Sequence, residues 1–259
     1  MKDIEKLIGK DRMEKVLVLD QTDSTNNLLK KMAAEGAQCG QVVIADEQTG
    51  GRGRLGRNFF SPKGKGTYLS YLMKPEVAPS DAVSLTAWTA SAMAKAVETA
   101  CGTAPGIKWV NDLYMNGKKI CGILTEMIIN DPADGIDSII IGIGINVNNE
   151  PSDFPEDISG IASSIAIETG RQVSRSELAA SMIRELDRMA EDWPGNKAEY
   201  LSTYRTLDIT CGREVNVISG GKVRPAAVLQ INDDFSLKVK YSDGEIGDLS
   251  SGEISLKLI

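Results

Sequence analysis

Residues 48–57 read Gln-Thr-Gly-Gly-Arg-Gly-Arg-Leu-Gly-Arg and follow the apolar run at residues 42–45. Four glycines and three arginines suit neither a helix nor a buried strand, because glycine in a regular element costs about 0.5–1 kcal/mol relative to alanine. Glycine backbone can approach an anion closely, and an arginine fork binds carboxylate or phosphate through two hydrogen bonds. The stretch therefore predicts a flexible, cationic glycine–arginine loop that follows a strand and orders on a negatively charged ligand.

The rest of the chain is acidic. Its 259 residues include 29 Lys and Arg against 36 Asp and Glu, which gives a formal net charge of −7. Because phosphate-backbone binding depends on positive charge, this composition disfavours general binding of DNA or RNA. The absence of histidine excludes a Ser-His-Asp triad, a histidine general base and any histidine-dependent zinc site.

The cysteines and the chain start indicate a cytoplasmic protein. Four scattered cysteines with no Cys-x-x-Cys pair are typical of reduced, intracellular proteins. The first residues are charged and do not form an apolar signal region. No run of about 18 apolar residues is present, so we expect no membrane span.

Hydrophobic periodicity predicts a mixed α/β region followed by a β-rich region. Strands are expected at residues 15–19, 41–45, 67–73, 107–110, 113–115, 119–129 and 138–147. Helices are expected at residues 24–36, 81–101, 174–193 and 197–204. After residue 208, four or five short strands separated by Gly and Asp turns predict a small β-barrel. We therefore expect two domains, residues 1–208 and 209–259.

Polar clusters stand where predicted strands meet loops. Besides the glycine–arginine loop, they lie at residues 23–27, 108–122 and 142–148. Each has a simple structural interpretation: a helix cap for the first, turns for the other two, and a solvated surface loop for the glycine–arginine stretch. Each also has a functional one, because hydroxyls, amides and glycines at strand ends suit a small polar or planar ligand.

The second of these clusters contains a predicted hairpin. Asn116-Gly117 is a strong turn signal, and a hairpin there would bring Asp112 and Lys119 to the same end of the sheet. An acidic residue beside a basic one suits a metal-bound triphosphate and an anion that is being activated.

In their order and spacing, these stretches resemble the signature motifs of the biotin protein ligases, and the likeness covers nearly the whole chain. The stretches that carry it are residues 23–26, 48–57, 60–62, 108–114, 119–126 and 142–146. The resemblance implies an α/β (α+β) fold: a mixed-sheet, SH2-like catalytic domain of the biotin/lipoate ligase type with a small C-terminal SH3-like β-barrel.

The resemblance also implies a two-step reaction. Biotin and ATP form biotinoyl-5′-AMP, and the biotinyl group then passes to a lysine of a biotin carboxyl carrier protein, from acetyl-CoA carboxylase or another biotin-dependent carboxylase. The implied catalytic residues are Lys119, Arg54 and Asp112, with Asp112 also the candidate Mg²⁺ ligand. The implied biotin-binding residues are Ser24, Thr25, Asn26, Gln48, Gly51, Arg52, Gly53, Arg54, Lys119 and Gly122. The implied ATP- or adenylate-binding residues are Arg52, Arg54, Arg57, Phe59, Asn111, Asp112 and Asn146.

The chain departs from the family pattern at two positions. Val110 stands where the family usually has proline, and Phe59 stands where tryptophan is common, which leaves adenine stacking possible but altered. Only 22 residues precede Asp23, too few for the winged-helix DNA-binding domain of some members. The chain therefore resembles the monofunctional type, which does not bind DNA.

Two other interpretations remain open from the residues. A lipoate–protein ligase would share the fold and the adenylate chemistry, and a nucleotide- or RNA-binding regulator could use the basic loop without catalysis. The sequence leaves the base for the transfer step undetermined. It also does not decide whether an open sheet edge forms a homodimer or receives the carrier protein.

Overall fold

The computed structural model describes residues 3–129, 135–250 and 255–258. Its strands form two sheets, a seven-stranded one ordered β1-β2-β3-β7-β6-β5-β4 and a five-stranded one ordered β11-β10-β9-β8-β12. The first sheet contains β1 Val16–Leu19, β2 Val42–Ala45, β3 Gly66–Met73, β4 Gly106–Lys108, β5 Asp112–Met115, β6 Lys118–Ile128 and β7 Ser138–Asn146. The second contains β8 Glu214–Ser219, β9 Lys222–Ile231, β10 Leu237–Tyr241, β11 Ile246–Leu249 and β12 Ser255–Leu258.

Helices cover both faces of the seven-stranded sheet. They are α1 Ile4–Ile8, α2 Lys10–Met13, α3 Thr25–Ala34, α4 Pro79–Ala82, α5 Leu85–Cys101, α6 Glu156–Ser159, α7 Ile165–Thr169, α8 Arg175–Asp192 and α9 Lys197–Leu207. The α3 helix packs on one face, where Leu29 meets Val43, Leu72 and Ile140. The α5 and α8 helices pack on the other face. Because both faces are covered, β3 and β7 are buried along their whole length, as their nearly continuous apolar sequences predict.

The sheet is mixed, as the sequence predicted. The β1 strand runs parallel to β2, and each of the other neighbouring pairs is antiparallel. The predicted hairpin turn is also confirmed: Asn116 and Gly117 adopt φ of 46° and 79° between β5 and β6, the left-handed conformations that such a turn requires. This turn places Asp112 and Lys119 near each other.

Two predicted elements differ from the structure. The single helix expected at residues 81–101 is divided into α4 and α5, and the Ser84 hydroxyl donates to the Asp81 carbonyl at the break. Such a side-chain bond competes with the backbone ladder of a helix. The strand expected at residues 107–110 ends at Lys108, and residues 109–111 form the turn to β5.

The five-stranded sheet is antiparallel throughout and lies in the predicted β-rich region. The mixed sheet and the separate antiparallel sheet confirm the predicted fold class. The indole of Trp109 donates to the Phe235 carbonyl at 2.9 Å and so joins the β4–β5 turn to the second sheet. The domain boundary at residues 208/209 stays a prediction. None of the helices in the described ranges has both the length and the hydropathy needed to cross a bilayer.

Candidate active site

Most of the predicted site residues line one small cavity of about 50 Å³ above the centre of the seven-stranded sheet. The start of α3 and the loop after β2 contribute Ser24, Thr25, Asn26, Gln48, Arg52, Gly53, Arg54 and Phe59. The β5 and β6 region contributes Asn111, Lys119 and Gly122. We call this space the head cavity. The fold thus brings together residues that are separated by nearly 100 positions in the sequence.

The start of α3 supplies hydroxyl and amide groups to the head cavity. Ser24 caps the helix, and its hydroxyl accepts from the Asn27 backbone amide. The Thr25 backbone N–H and hydroxyl donate to Gln48 Oε1 at 2.9 and 3.1 Å, and Gln48 Nε2 donates to Ser61 Oγ at 3.0 Å. The helix-cap interpretation and the functional interpretation of this cluster are therefore compatible.

Two residues without an assigned role in the sequence hold Asn26 in place. Ser70 donates to Asn26 Oδ1 at 2.5 Å, and Asn26 Nδ2 donates to Glu126 Oε2 at 2.8 Å. Ser70 is fully buried in β3, and its polarity inside an otherwise apolar stretch is the signal that could have identified it. Glu126 ends the 119–126 motif and also accepts from Lys30 at 2.6 Å.

The environment of Glu126 favours its charged form. Burial acts to raise the pKa of this carboxyl, but the hydrogen bonds from Lys30 and Asn26 and the nearby charges of Lys30 and Arg52 outweigh it, so the pKa lies below its ordinary value. The Arg52 guanidinium lies 3.6 Å from Glu126 Oε1 and donates to Asn27 Oδ1 at 2.9 Å. The glycine–arginine loop is thereby attached to the α3 side of the cavity.

Glycines on β6 and β7 form the floor of the head cavity. A Cβ at Gly142 would overlap the Asn26 amide, and a Cβ at Gly144 would overlap the Phe59 ring. A Cβ at Gly122 would lie 3.1 Å from Lys119 Nζ and 3.3 Å from Phe59 Cε2. In this structure, side chains of Asn26, Phe59 and Lys119 therefore lie directly over these glycines.

Phe59 and Gly51, two of the predicted site residues, take part in this packing. The Phe59 ring lies against the β6–β7 floor and contacts Tyr68 edge-on, with the ring centroids 6.5 Å apart. A Cβ at Gly51 would overlap the Phe59 carbonyl and lie 2.7 Å from Ser61 Oγ. Gly51 is thus required for close packing of the loop, and Phe59 occupies the floor of the head cavity.

A second cavity of about 150 Å³ shares a wall with the first. Gly53, Arg54, Phe59, Asn111 and Lys119 line both. We call this second space the cationic cavity, because its lining carries four basic side chains and one carboxylate. These charged residues are Arg54, Arg57, Lys108, Lys119 and Asp112.

The predicted pairing of Asp112 and Lys119 is present. Lys119 Nζ lies 2.7 Å from Asp112 Oδ1, and both side chains are largely buried. Arg54 donates to Asn111 Oδ1 at 2.8 Å, and Asn111 Nδ2 donates to the Ile123 carbonyl at 3.0 Å. The centre of the glycine–arginine loop is therefore bound to the β5–β6 side of the site. Burial lowers the pKa of Arg54 from its ordinary value.

Lys108 is a further basic residue of the cationic cavity, and the sequence did not give it a role. It ends β4, and its ammonium lies 3.5 Å from the Tyr114 hydroxyl and 5.3 Å from the centroid of the Tyr114 ring. Burial lowers the pKa of Lys108, with Asp112 acting in the opposite direction. Burial likewise raises the pKa of Tyr114 to about 12.

Asn146 lies apart from most of the other predicted site residues. Its side chain is buried and donates from Nδ2 to the Ser163 carbonyl at 2.9 Å. It belongs to the lining of neither cavity described above. In this structure, Asn146 attaches the end of β7 to the segment before α7, which is the structural interpretation of that cluster. Arg57, by contrast, lines only the cationic cavity and is exposed.

The predicted magnesium ligand, Asp112, does not belong to a cluster of metal-binding side chains in the described part of the chain. Within residues 3–129, 135–250 and 255–258, no group of three or more His, Cys, Asp or Glu side chains could enclose a metal ion. Asp112 supplies the carboxylate of the cationic cavity. A single carboxylate does not enclose Mg²⁺ by itself. It fits the kind of site in which one or two protein carboxylates and the phosphates of a nucleotide together bind the ion.

Comparisons with known proteins identify the family of this chain. Residues 18–146 match the Biotin/lipoate A/B protein ligase family. The chain is 37% identical over 174 residues to the bifunctional ligase/repressor BirA of Bacillus subtilis, a match that covers 67% of this chain and 53% of that protein. The match thus spans about half the length of that relative.

Two further relatives match over most of their length. The biotin–[acetyl-CoA-carboxylase] ligase of Mycobacterium tuberculosis is 30% identical over 249 residues, with 92% of this chain and 87% of that protein covered. The structure of a biotin protein ligase from Aquifex aeolicus in complex with biotin and ATP superposes with a TM-score of 0.80 at 27% identity, covering 94% of this chain and 99% of that one. The chain therefore belongs to the biotin/lipoate A/B protein ligase family, in its biotin protein ligase branch.

Proposed function

We propose that this protein activates biotin with ATP to form biotinoyl-5′-AMP and transfers the biotinyl group to a lysine of a biotin carboxyl carrier protein. One observation carries the proposal: a small polar cavity and a cationic cavity share a wall that contains Arg54 and Lys119. Such a junction suits the meeting of a carboxylate with the α-phosphate of a nucleotide. The M. tuberculosis and A. aeolicus relatives support it, because the first is a biotin–[acetyl-CoA-carboxylase] ligase and the second is a biotin protein ligase that binds biotin and ATP.

In the first step, the head cavity binds biotin and the cationic cavity binds ATP. The ureido ring of biotin has one carbonyl acceptor and two N–H donors, which suit the hydroxyl and amide groups of Ser24, Thr25, Asn26 and Gln48. Two anions must approach each other, so their repulsion has to be screened. Arg54 and Lys119 supply fixed positive charges at the shared wall.

The further predicted residues extend this arrangement. Arg52 and Gly53 would border biotin from the loop, with Gly51 allowing the loop to pack closely. Arg57, Asn111 and Asp112 would border the nucleotide. Gly122 would border the biotin chain once Phe59 has moved from the floor, and the displaced ring could then cover the adenylate. The proposal assigns Asn146 an indirect role at the end of β7.

In the second step, the acceptor lysine attacks the mixed anhydride and AMP leaves. The anhydride is hydrolytically reactive, so water has to be excluded until the amine arrives. The glycine–arginine loop performs this role in the proposal, because it contacts α3 through Arg52 and the β5–β6 side through Arg54.

Magnesium belongs to the proposal through Asp112. When bound with the triphosphate, the ion would neutralise charge on the phosphate oxygens and make the leaving group more stable. Asp112 is the residue that would hold it, because it lines the cationic cavity and supplies the carboxylate there, beside Lys119.

The finer features of the proposal concern partners and location. The acceptor is the carrier protein of acetyl-CoA carboxylase or of another biotin-dependent carboxylase, and the ligase acts in the cytoplasm without binding DNA. Residues 1–208 form the catalytic domain and residues 209–259 a C-terminal domain. An edge of the larger sheet, at β1 or β4, forms a homodimer or receives the carrier protein.

Mass spectrometry of a purified carrier domain tests the proposal. The full chain is incubated with the domain, ATP and Mg²⁺ and with either biotin or lipoate. We expect a biotin adduct on one lysine, with release of AMP and pyrophosphate. A lipoyl adduct alone would identify a lipoate ligase, and nucleotide or RNA binding without any adduct would identify a binding protein; either result refutes the proposal.

A further inference from the structure

The cationic cavity contains a basic residue without a role in the reaction described so far. Lys108 faces Asp112 directly across the β4–β5 ladder. The Asp112 carboxylate is instead paired with Lys119, at 2.7 Å. Among the residues that the structure describes, no carboxylate oxygen lies within 4.0 Å of the Lys108 ammonium, whose neighbours are the Tyr114 hydroxyl and ring. A partly buried cation whose facing carboxylate is already paired with another lysine is costly unless a ligand supplies further negative charge.

The two lysines of the site occupy different places. Lys119 lines both cavities and therefore lies where the biotin carboxylate and the α-phosphate meet. Lys108 lines the cationic cavity and is not part of the head-cavity lining. With biotin in the head cavity and the nucleotide in the cationic cavity, as proposed, Lys108 would lie on the nucleotide side of Lys119, in the part of the site that also contains Arg57.

From this placement we infer that Lys108 binds the β- and γ-phosphates of ATP and stabilises the pyrophosphate that leaves in the first step. The inference rests on the proposed function. A carboxylate oxygen of biotin forms a bond to the α-phosphorus, and the bond from that phosphorus to the bridging oxygen of the β-phosphate breaks. The electron pair remains on the bridging oxygen, which becomes a charged terminal oxygen of pyrophosphate. The Lys108 ammonium offsets this developing charge.

The inferred role of Lys108 differs from that of every residue proposed to bind biotin or the adenylate. Once pyrophosphate has left, the phosphates that Lys108 binds are no longer in the site. Lys108 therefore contributes little to holding biotinoyl-5′-AMP. Steps that involve pyrophosphate depend on Lys108, whereas biotin binding does not. This difference makes the role measurable, since a purely structural lysine would affect both.

The test compares substitutions of two lysines in the full chain. Lys108→Met removes the charge from the cationic cavity. Lys95→Met is the control for loss of a lysine charge outside the site: the Lys95 ammonium also lies over a tyrosine ring, 5.6 Å from the Tyr200 centroid, but it pairs with Glu199 at 2.7 Å and lies on α5, outside the cavity linings. The measurements are the KM values for ATP and biotin in adenylate synthesis, and the KM for pyrophosphate in the reverse reaction from synthetic biotinoyl-5′-AMP.

For Lys108→Met we expect the KM values for pyrophosphate and ATP to rise about tenfold or more, as loss of a charge-assisted contact predicts. The KM for biotin is expected to stay within about twofold. Lys108→Arg should restore most of the pyrophosphate affinity, and Lys95→Met should leave all three constants near the wild-type values. If Lys108→Met does not fold, Lys108→Gln takes its place, and we expect the same rise in the KM values for pyrophosphate and ATP.

An unchanged KM for pyrophosphate in the folded Lys108 variants would overturn the inference, and so would a rise in the KM for biotin as large as that for pyrophosphate. Failure of the proposed function would look different. In that case the wild-type chain itself would not exchange pyrophosphate into ATP when biotin is present.

Discussion

The amide of Asn26 is held on both sides. Its Oδ1 accepts from Ser70 and its Nδ2 donates to Glu126, so the orientation of the amide is fixed before any ligand arrives. Neither Ser70 nor Glu126 belongs to the head-cavity lining. A binding group that is oriented in advance avoids the entropic cost of being ordered by its ligand. The polar surface of the head cavity thus depends on residues behind it.

Gly142 gives a direct test of that dependence. We expect Gly142→Ala to raise the KM for biotin about tenfold or more, because the new methyl group meets the Asn26 amide and the amide is held too firmly to move without losing hydrogen bonds. Gly160→Ala is the control, since its φ is −72° and no heavy atom lies within 4 Å of the added Cβ. Equal biotin KM values in the two variants would contradict the expectation.

Lys119 is the residue whose loss should most reduce adenylation. We expect Lys119→Ala to lower the rate of pyrophosphate release about 10²- to 10³-fold, the usual effect of removing a group that stabilises transition-state charge. Lys118→Ala is the matched control, because the Lys118 ammonium bonds the Gly160 carbonyl instead of a cavity residue. The rate is measured in a single turnover with biotin and ATP. An unchanged rate in Lys119→Ala would remove Lys119 from the catalytic role.

The glycine–arginine loop is ordered by its own arginines. Arg52 bonds Asn27 on α3, and Arg54 bonds Asn111 beside β5. The head cavity below the loop has only about 50 Å³, less than the space of two water molecules at about 30 Å³ each. A bicyclic ligand therefore requires the loop and the Phe59 ring to rearrange. Under the proposed function, the contacts that close the loop would be released and formed again in each turnover.

Arg54→Gly should uncouple closure of the loop from the chemistry beneath it. We expect faster escape of biotinoyl-5′-AMP, by a larger factor than the slowing of its synthesis, because the contact with Asn111 is lost while Lys119 remains in place. Intermediate release is measured by rapid filtration in a single turnover. Arg54→Lys keeps the positive charge and removes the guanidinium fork. Its rate of intermediate release is expected to lie between those of the wild type and Arg54→Gly. Retention equal to that of the wild type would refute the role of Arg54.

Contacts between the two sheets also position the site. Trp109 follows β4, directly after Lys108, and its indole donates to the Phe235 carbonyl between β9 and β10. Arg205 on α9 donates to the Ile231 carbonyl at 2.7 Å, which adds a second connection. The β4–β5 turn carries Asn111 and Asp112, so the second sheet supports one wall of the cationic cavity.

Trp109→Phe tests this connection between the sheets. We expect the free energy of unfolding to fall by about 1–3 kcal/mol, because a buried carbonyl loses its donor. Trp193→Phe is a matched control, since the buried Trp193 indole N–H has no hydrogen-bond partner in the described part of the chain. Urea denaturation gives both values. Equal losses would show that the Trp109 hydrogen bond contributes nothing beyond ring packing.

Local signals predicted what depends on neighbours in the sequence. The Ser24 cap of α3 was correct because helix caps are set within about four residues. The Asn116-Gly117 turn and the buried β7 were correct because turn chemistry and strand burial are written in consecutive residues. The division of α4 from α5 was missed, because the hydrophobic spacing does not report the bond from the Ser84 hydroxyl to the Asp81 carbonyl at the break.

The amino-acid sequence alone specified the mixed α/β class, the cationic loop, the hairpin that pairs Asp112 with Lys119, and the resemblance to biotin protein ligases. Folding then determined that Ser70 and Glu126 orient Asn26, that Phe59 rests on the β6–β7 floor, that Lys108 faces the cationic cavity and that Asn146 bonds the backbone. The physical reason is distance along the chain. Asn26 and Glu126 are 100 positions apart, and their contact depends on how α3 packs on the sheet and on the register of β6 with β7. No local pattern encodes that register.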